Sequence, residues 1–199
     1  MQYYPPTIIN AIRNLGKLPG VGEKTAERLA LHILRAPETE AYQLAESIRE
    51  LRGKTRLCAL CFAMSDQERC RICGNPSRDA GLLCVVEQPG DMVAIEKSGG
   101  YDGLYHILQG ALSPMDGIQP EHLRIRELLE RVASGQIREV IIATGTGVEG
   151  ESTAAYLSEQ LARHPLKVTR IASGVPIGGD LKYVDQVTIK RAMEKRHAL

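Results

Sequence analysis

Four cysteines follow a spacing that is typical of a metal site. Cys58, Cys61, Cys70 and Cys73 form the pattern C-x2-C-x8-C-x2-C. Each close pair can place two thiolates on one ion, and two such pairs complete a closed tetrahedral Zn²⁺ site. Disulfides are the alternative, but residues 1–10 lack the basic and apolar regions of a secretory signal, which favours a reducing compartment. Because all four ligands are cysteines, no position remains for a reactive water, so we expect the zinc to be structural.

A glycine-rich turn joins two short helical patterns and could hold a phosphate. Gly20 and Gly22 permit positive φ and the close approach of another molecule. The helix predicted to begin at Glu23 offers unpaired amides and the positive end of its dipole, and Lys24 and Arg28 share one of its faces. This pattern resembles the helix-hairpin-helix motif of DNA-binding proteins. The alternative is a turn whose glycines only let two helices cross. One hairpin binds weakly, so useful affinity requires several copies brought together by oligomerisation.

Acidic residues follow two predicted strands of an α/β region. Glu87 ends the strand around Val85, where open α/β sheets place their ligands, and Glu149 follows a later strand. The later segment resembles the strand-end motif of the Toprim domain of topoisomerases and primases, in which an acidic D-x-D pair precedes the turn. Gly145 and Gly147 occupy those two acidic positions here. The site for the divalent metal that phosphoryl transfer requires has therefore lost two ligands, and we expect no catalysis.

Two other chemistries are considered for the same region. Gly145, Gly147 and Gly150 formally match a dinucleotide-binding G-x-G-x-x-G, but the following strand leads into residues 172–174 without the acidic residue that would hold a ribose, and none occurs before Asp180. The chain has no P-loop motif. Nucleophile and base pairs can be imagined among the following residues, but no strand-Gly-x-Ser-x-Gly-helix elbow accompanies them: His106 with Ser113, and His122 with Ser152.

Hydrophobic periodicity predicts the elements that must position these groups. The front of the chain is helical, with apolar residues at helical spacing over 8–15, 26–34 and 39–51. After the cysteine-rich segment the pattern becomes α/β, and crossovers of this length favour a mainly parallel sheet covered on both faces. Strands are predicted over 82–86, 104–108, 139–143 and 167–171, with helices near 92–97, 121–133 and 151–164. The tail is predicted to form one more strand, 184–189, and a short basic helix through Lys195.

These elements divide the chain into four parts. We predict a helical helix-hairpin-helix domain over 1–54, a zinc-binding module over 55–79, a Toprim-like α/β domain over 80–174 and a C-terminal segment over 175–199 that forms an oligomer contact. The predicted fold class is therefore multidomain, α plus α/β, with a Rossmann-like parallel sheet and a C-terminal strand and helix.

Composition narrows the functions that this chain can have. Its 199 residues are 43% hydrophobic and 25% charged, as in ordinary globular proteins, and no apolar run is long enough to span a bilayer. We therefore expect a cytoplasmic protein. One Phe and no Trp leave little material for an aromatic platform that stacks bases. Net charge is +1, with +3 on residues 1–80 and −2 on 81–199, an asymmetry that only weakly favours phosphates at the front.

The order of parts, together with three further segments, closely resembles the RecR family of bacterial recombination mediators over nearly the whole chain. These segments are GDMVAIEKSGGY from Gly90, YHILQGALSP from Tyr105 and RIASGVPIGGDL from Arg170. The resemblance implies a non-enzymatic, nucleoid-associated DNA-repair factor that forms a ring-like homotetramer or a homodimer and binds single-stranded and double-stranded DNA. It also implies work with RecO and RecF in loading RecA onto single strands. Lys24 and Arg28 would then contact DNA, and Glu87 and Glu149 would receive a basic partner surface.

Overall fold

The structure is a computed structural model that describes residues 3–196. The chain forms two compact units, Met1–Thr55 and Arg56–Leu199. The predicted four-part division stays a prediction, and residues 1, 2 and 197–199 of its outer parts lie outside the described range. Among the described residues, no helix has both the length and the apolarity needed to cross a membrane.

The first unit contains the three predicted helices. They are α1 (Pro6–Leu15), α2 (Glu23–Arg35) and α3 (Glu38–Lys54). Pro6 suits the first position of α1 because that position needs no amide donor. Helices α1 and α2 pack through Ile12, Ala26 and Ala30, whose small alanines allow a close approach. Helix α3 buries no residue, so its apolar face remains exposed.

The second unit is built on a parallel sheet, as predicted. Its four strands are β3 (Asp79–Val86), β4 (Gly103–Ile107), β5 (Glu139–Ile142) and β6 (Lys167–Arg170). They lie in the order β4-β3-β5-β6, and all three neighbouring pairs are parallel. Residues from neighbouring strands pair near the carboxyl end of the sheet, with Val85 opposite both His106 and Ile142.

Both faces of the sheet are covered because alternate residues of each strand point to opposite sides. Three helices flank the sheet: α4 (Pro89–Ser98), α5 (Ile125–Ala133) and α6 (Val148–Leu161). Leu83 and Val85 belong to one buried core together with residues of α5 and α6. Cys84 and Val86 belong to a second core, which includes residues of α4 and of the cysteine-rich segment.

The cysteine-rich segment forms a small antiparallel ribbon with two turns. Strands β1 (Arg56–Leu57) and β2 (Met64–Ser65) pair with each other, and Cys58 and Cys61 lie in the loop that joins them. The sequence predicted this segment as an irregular module, and the structure adds that its buried cysteines share a core with β3 and β4. The module therefore covers part of the sheet in place of a helix.

The predicted strand over 184–189 is wrong. Residues Gln186–Glu194 form a helix, α7, which begins after Asp185. The Asp185 side chain accepts hydrogen bonds from the backbone amide of Thr188 at 2.9 Å and from its hydroxyl at 2.7 Å. This N-cap outweighs the β-branched character of the residues that suggested a strand. The predicted fold class is otherwise confirmed, because an α-helical front and a parallel α/β sheet are both present.

Candidate functional site

The four predicted cysteine ligands lie together. The sulfur atoms of Cys58, Cys61, Cys70 and Cys73 are all within 4.8 Å of one another, and those of Cys61 and Cys70 are 3.5 Å apart. Zn–S bonds of about 2.3 Å in a tetrahedron require sulfur atoms roughly 3.8 Å apart, so this arrangement fits one zinc ion. All four cysteines are free thiols, which leaves each of them able to bind metal. The prediction of a structural zinc is confirmed, and these are the four side chains that would hold it.

Hydrogen bonds and charge explain why this cluster needs a cation. The amide of Cys70 donates to the sulfur of Cys58 at 3.3 Å. Burial raises the pKa of Cys58, but the amides of Cys70, Cys61 and Leu60 outweigh burial and lower the pKa to about 6. The hydrogen bond with Cys73, together with burial, raises the pKa of Cys61. Several thiolates cannot form side by side without a positive ion, and a divalent metal supplies that charge.

The fifth cysteine has a different environment. Cys84 is buried in the middle of β3, in the core that the zinc module shares with the sheet. Burial raises its pKa to about 12, so the thiol stays protonated and unreactive. Its predicted role as a small buried hydrophobe is confirmed.

The predicted phosphate-binding site lies on the surface of the first unit. Helix α2 begins at Glu23, and its N-cap residue Gly22 has extended backbone with no side chain capping the helix. Lys24 and Arg28 are exposed on the first two turns. The N-terminal amides of α2 and two basic side chains are therefore open to solvent, as a phosphate-binding hairpin requires.

The two glycines of the turn differ in what the fold demands of them. Gly20 has a φ of +77°, which favours glycine. Gly22 has ordinary extended backbone, and a Cβ added at either glycine would meet no atom within 4 Å. The helical unit itself thus gives no reason for a glycine at position 22. The open space above it suits the close approach of another molecule.

Glu87 and the segment after β5 meet at the carboxyl end of the sheet. Glu87 Oε1 accepts a hydrogen bond from the amide of Gly145 at 2.7 Å. Both residues, with exposed Glu149 and with Asp116, line an open crevice of about 400 Å³. The structure therefore brings the two predicted acidic residues to one crevice, although Glu87 already holds the neighbouring loop. Among residues 3–196 the cysteines are the one group of three or more metal-ligand side chains found close together.

The glycine pattern of this crevice serves packing. A Cβ on Gly150 would lie 2.2 Å from the carbonyl oxygen of Gly145, so only glycine fits there. Thr144 Oγ1 donates to the Gly150 carbonyl at 2.7 Å and closes the turn. The Gly145 amide, which a pyrophosphate would need, donates to Glu87. These contacts do not favour the dinucleotide alternative.

The histidine and serine pairs considered from the sequence have structural partners of their own. His106 is fully buried, and its Nε2 lies 2.7 Å from the carbonyl oxygen of Arg124. The Ser113 hydroxyl donates to Asp116 at 2.6 Å. His122 Nδ1 accepts from the backbone amide of Gln119 at 3.0 Å. These contacts give His106, Ser113 and His122 local structural roles.

Sequence reasoning missed the arginines that brace the crevice. Arg170, the last residue of β6, donates to the Thr144 hydroxyl at 2.6 Å and to the Gly145 carbonyl at 2.8 Å. Arg191 of α7 donates to Glu151 at 3.0 Å, and Glu151 also faces Arg170 at 3.4 Å. Burial raises the pKa of Glu151, but the two arginines outweigh it and lower the pKa. The position of Arg170 at the end of a parallel strand was a signal for this role.

Comparison with known proteins finds matching family models and similar relatives over the whole length of the sites described above. Family models match four consecutive segments: the RecR helix-hairpin-helix over 8–52, the RecR zinc finger domain of the four-cysteine type over 55–75, the Toprim domain over 81–172 and the RecR C-terminal region over 174–197. A protein of Desulforapulum autotrophicum named "Recombination protein RecR" is 64% identical over 98% of both chains. Proteins of the same name from Desulfatibacillum aliphaticivorans and Desulfosudis oleivorans are 58% and 56% identical, over 100% and 98% of both chains.

Proposed function

The chain belongs to the RecR family of recombination proteins, and from that premise we propose that it is a non-enzymatic mediator that binds DNA through its hairpin and recruits partners through its strand-end crevice. Membership gives it a role in recombination repair. The finer proposal is that it closes into a ring-like clamp, works with RecO and RecF, and helps load RecA onto single-stranded DNA.

The exposed start of α2 is the observation that carries the DNA-binding proposal. Its open amides, the clearance above Gly20 and Gly22, and the exposed Lys24 and Arg28 recognise phosphates and no particular base. Such a surface suits both single-stranded and double-stranded DNA, since both display the same backbone. One copy contacts about two phosphates, which is weak, so several hairpins must act together.

The absence of catalysis is proposed from the crevice. Gly145 and Gly147 stand where related catalytic domains carry an acidic pair, and Glu87 is engaged with the Gly145 amide. Glu149 stays exposed on the rim. We infer that this acidic rim receives a basic surface of a partner such as RecO or RecF. Purified protein should leave labelled DNA intact in the presence of Mg²⁺, and cleavage that a Glu149 substitution eliminates would contradict the proposal.

Self-association is proposed from exposed apolar residues. The C-terminal segment exposes Ile177, Leu181, Tyr183 and Val187, and these side chains are between 64% and 106% exposed. Four exposed apolar side chains so close together in sequence favour an interface over free surface. We propose that this segment contacts a second copy, giving a homodimer or a homotetramer.

The hairpin is tested by reversing its charge. The double variant Lys24→Glu with Arg28→Glu should lose DNA retention because two phosphate contacts per hairpin are replaced by repulsion. In a salt titration, the slope of log affinity against log salt should fall in magnitude by about 2 per hairpin engaged. Solution affinity for single-stranded and double-stranded DNA, measured from about 50 to 200 mM salt, provides the readout.

A matched control separates the hairpin from overall charge. The double variant Arg49→Glu with Arg52→Glu makes the same charge change on exposed positions of α3 and should retain most DNA binding. Equal losses of DNA affinity in both double variants would show that net charge accounts for DNA binding and that the start of α2 is not a specific phosphate-binding site. Circular dichroism should show unchanged helix content in all the proteins.

A further inference from the structure

Two non-glycine residues with left-handed backbone are hydrogen-bonded to each other. Phe62 has a φ of 63° and Gln109 a φ of 66°, and between residues 3 and 196 no other non-glycine residue has positive φ. The Gln109 side-chain amide donates to the Phe62 carbonyl oxygen at 2.6 Å across 47 residues of sequence. Such backbone costs free energy and persists where surrounding contacts hold it. The pair is therefore a built junction between two parts of the second unit.

One end of this junction is part of the zinc site. Phe62 directly follows the ligand Cys61, and its amide donates to the carbonyl oxygen of Cys58 at 3.1 Å. Beside it, the amide of Ile107 donates to the carbonyl oxygen of Cys61 at 2.9 Å. The direction of the Phe62 carbonyl thus depends on the turn that carries two of the four zinc ligands.

The other end of the junction is a wall of the crevice, which we define as residues 109–112. The amide of Gly110 donates to the backbone carbonyl of Glu87 at 3.0 Å. The amide of Leu112 donates to the hydroxyl of Thr153 at 2.9 Å, and that hydroxyl donates to the carbonyl oxygen of Glu149 at 2.7 Å. The wall therefore bonds the backbone of Glu87 directly and that of Glu149 through the Thr153 hydroxyl.

We propose that Gln109 is a positioning residue through which zinc at the four cysteines holds the crevice wall in place. Zinc fixes the Cys58–Cys61 turn, the turn aims the Phe62 carbonyl, and Gln109 anchors the wall to that carbonyl. Coupling of this kind is reciprocal, so the wall in turn stabilises bound zinc. The coupling itself needs no partner, and only its consequence for partner binding rests on the proposed function.

The full-length zinc-loaded protein tests the coupling in both directions. Gln109→Ala should weaken zinc binding by up to about tenfold in competition with a chelating dye; tenfold is the smallest loss usual for direct partners of a ligand group, and Gln109 bonds the residue next to the ligand Cys61. Gln109→Glu keeps the size of the side chain and loses its donor, so it should weaken zinc binding at least as much. Gln136→Ala, at an exposed position, is the matched control and should leave zinc affinity unchanged. Removing zinc from the wild type should accelerate amide exchange at Gly110 and Leu112.

Amide exchange of strand β5 distinguishes this coupling from general unfolding. On zinc removal, the amides of the wall should lose more protection than those of β5, because global destabilisation affects both and loss of the coupling affects only the wall. The proposal is overturned if both Gln109 variants bind zinc as tightly as the wild type, or if zinc removal leaves the Gly110 and Leu112 amides unchanged or exposes β5 equally. Should Gln109→Ala fail to fold, Gln109→Glu together with the zinc-removal experiment on the wild type decides. A polylysine probe tests the proposed role of the crevice separately. If the coupling is present but the probe binds equally with and without zinc, the proposal about Gln109 is supported and the assignment of the crevice to partner binding is contradicted.

Discussion

At the scale of single residues, burial and hydrogen bonding decide which reactive side chains are available. Cys58 and Cys84 are both buried cysteines, yet backbone amides lower the pKa of Cys58 and burial alone raises that of Cys84. His106 is a further case, because it sits inside the core with one nitrogen on the Arg124 carbonyl and with Nδ1 lacking a partner in the described structure. Side-chain type alone would not have separated these roles.

His106 predicts how stability depends on pH. Burial, which outweighs the opposing hydrogen bond with the Arg124 carbonyl and is assisted by the charge on Arg131, lowers its pKa from 6.5 to about 4. Between pH 6.5 and 4 the His106 imidazole is therefore protonated in the unfolded chain but not in the folded chain. The free energy of unfolding consequently falls as the pH falls through this window. The loss should reach about 3 kcal/mol near pH 4. Urea unfolding at several pH values measures it.

A matched pair of substitutions isolates the contribution of His106. His106→Gln cannot take up a proton, so its stability should change less than that of the wild type across the same pH window. His32→Gln makes the same replacement at an exposed position of α2 and should keep the full pH dependence. If His106→Gln retained the wild-type slope, another group would be responsible.

At the scale of elements, the zinc module acts as one of the layers that cover the sheet. Three of its ligands, Cys58, Cys61 and Cys70, lie in a core with Val86 of β3 and Ile107 of β4. A ribbon of two-residue strands could not hold such a surface without a crosslink, because short isolated ribbons are marginal in water. Zinc supplies the crosslink, and the ribbon in turn shields one side of the sheet.

This arrangement predicts a large effect of losing one zinc ligand. Cys58→Ser should release zinc and lower the free energy of unfolding by several kcal/mol, because metal binding is coupled to folding. Thermal unfolding and metal analysis by mass spectrometry measure the two effects. Cys84→Ser makes the same atomic change in the same core and should destabilise by about 1–3 kcal/mol while keeping one zinc per chain. An unchanged melting temperature in a metal-free Cys58→Ser protein would rule out the crosslinking role.

At the scale of the whole molecule, the chain leaves apolar surface uncovered on each of its two units. Helix α3 exposes Leu44, Ile48 and Leu51, which share its apolar face, and the C-terminal segment exposes Ile177 and Tyr183. A chain of this size has enough length to bury such residues within itself. The uncovered faces support the proposed self-association, in which further copies would bring several hairpins together.

The C-terminal segment can be tested through solution mass. The double variant Ile177→Ser with Tyr183→Ser should reduce the assembled mass because both side chains are almost fully exposed in the single chain and would be buried only in a contact. Light scattering coupled to gel filtration, with and without DNA, gives the mass. Met115→Ser removes an equally exposed apolar side chain from the α/β region and should leave the mass unchanged. An assembly that is unaffected by the double variant would place the contact elsewhere.

The sequence determined the features that follow local rules. Ligand spacing identified the zinc site at Cys58–Cys73, apolar periodicity located the helices and the parallel strands, and a turn with two glycines before Lys24 marked the hairpin. These signals are readable because each depends on residues within one or two turns or strands of one another. The same kind of reasoning failed at 184–189, where the Asp185 cap decided between two conformations that β-branched residues both permit.

Tertiary structure decided every contact between residues that are distant in sequence. Packing of the zinc module on the sheet, the bond from Gln109 to Phe62, the bond from Gly145 to Glu87 and the bracing by Arg170 all depend on strand register and on how layers pack. No spacing rule encodes these contacts, because the sequence separation of two residues does not fix the distance between them once a chain folds back on itself.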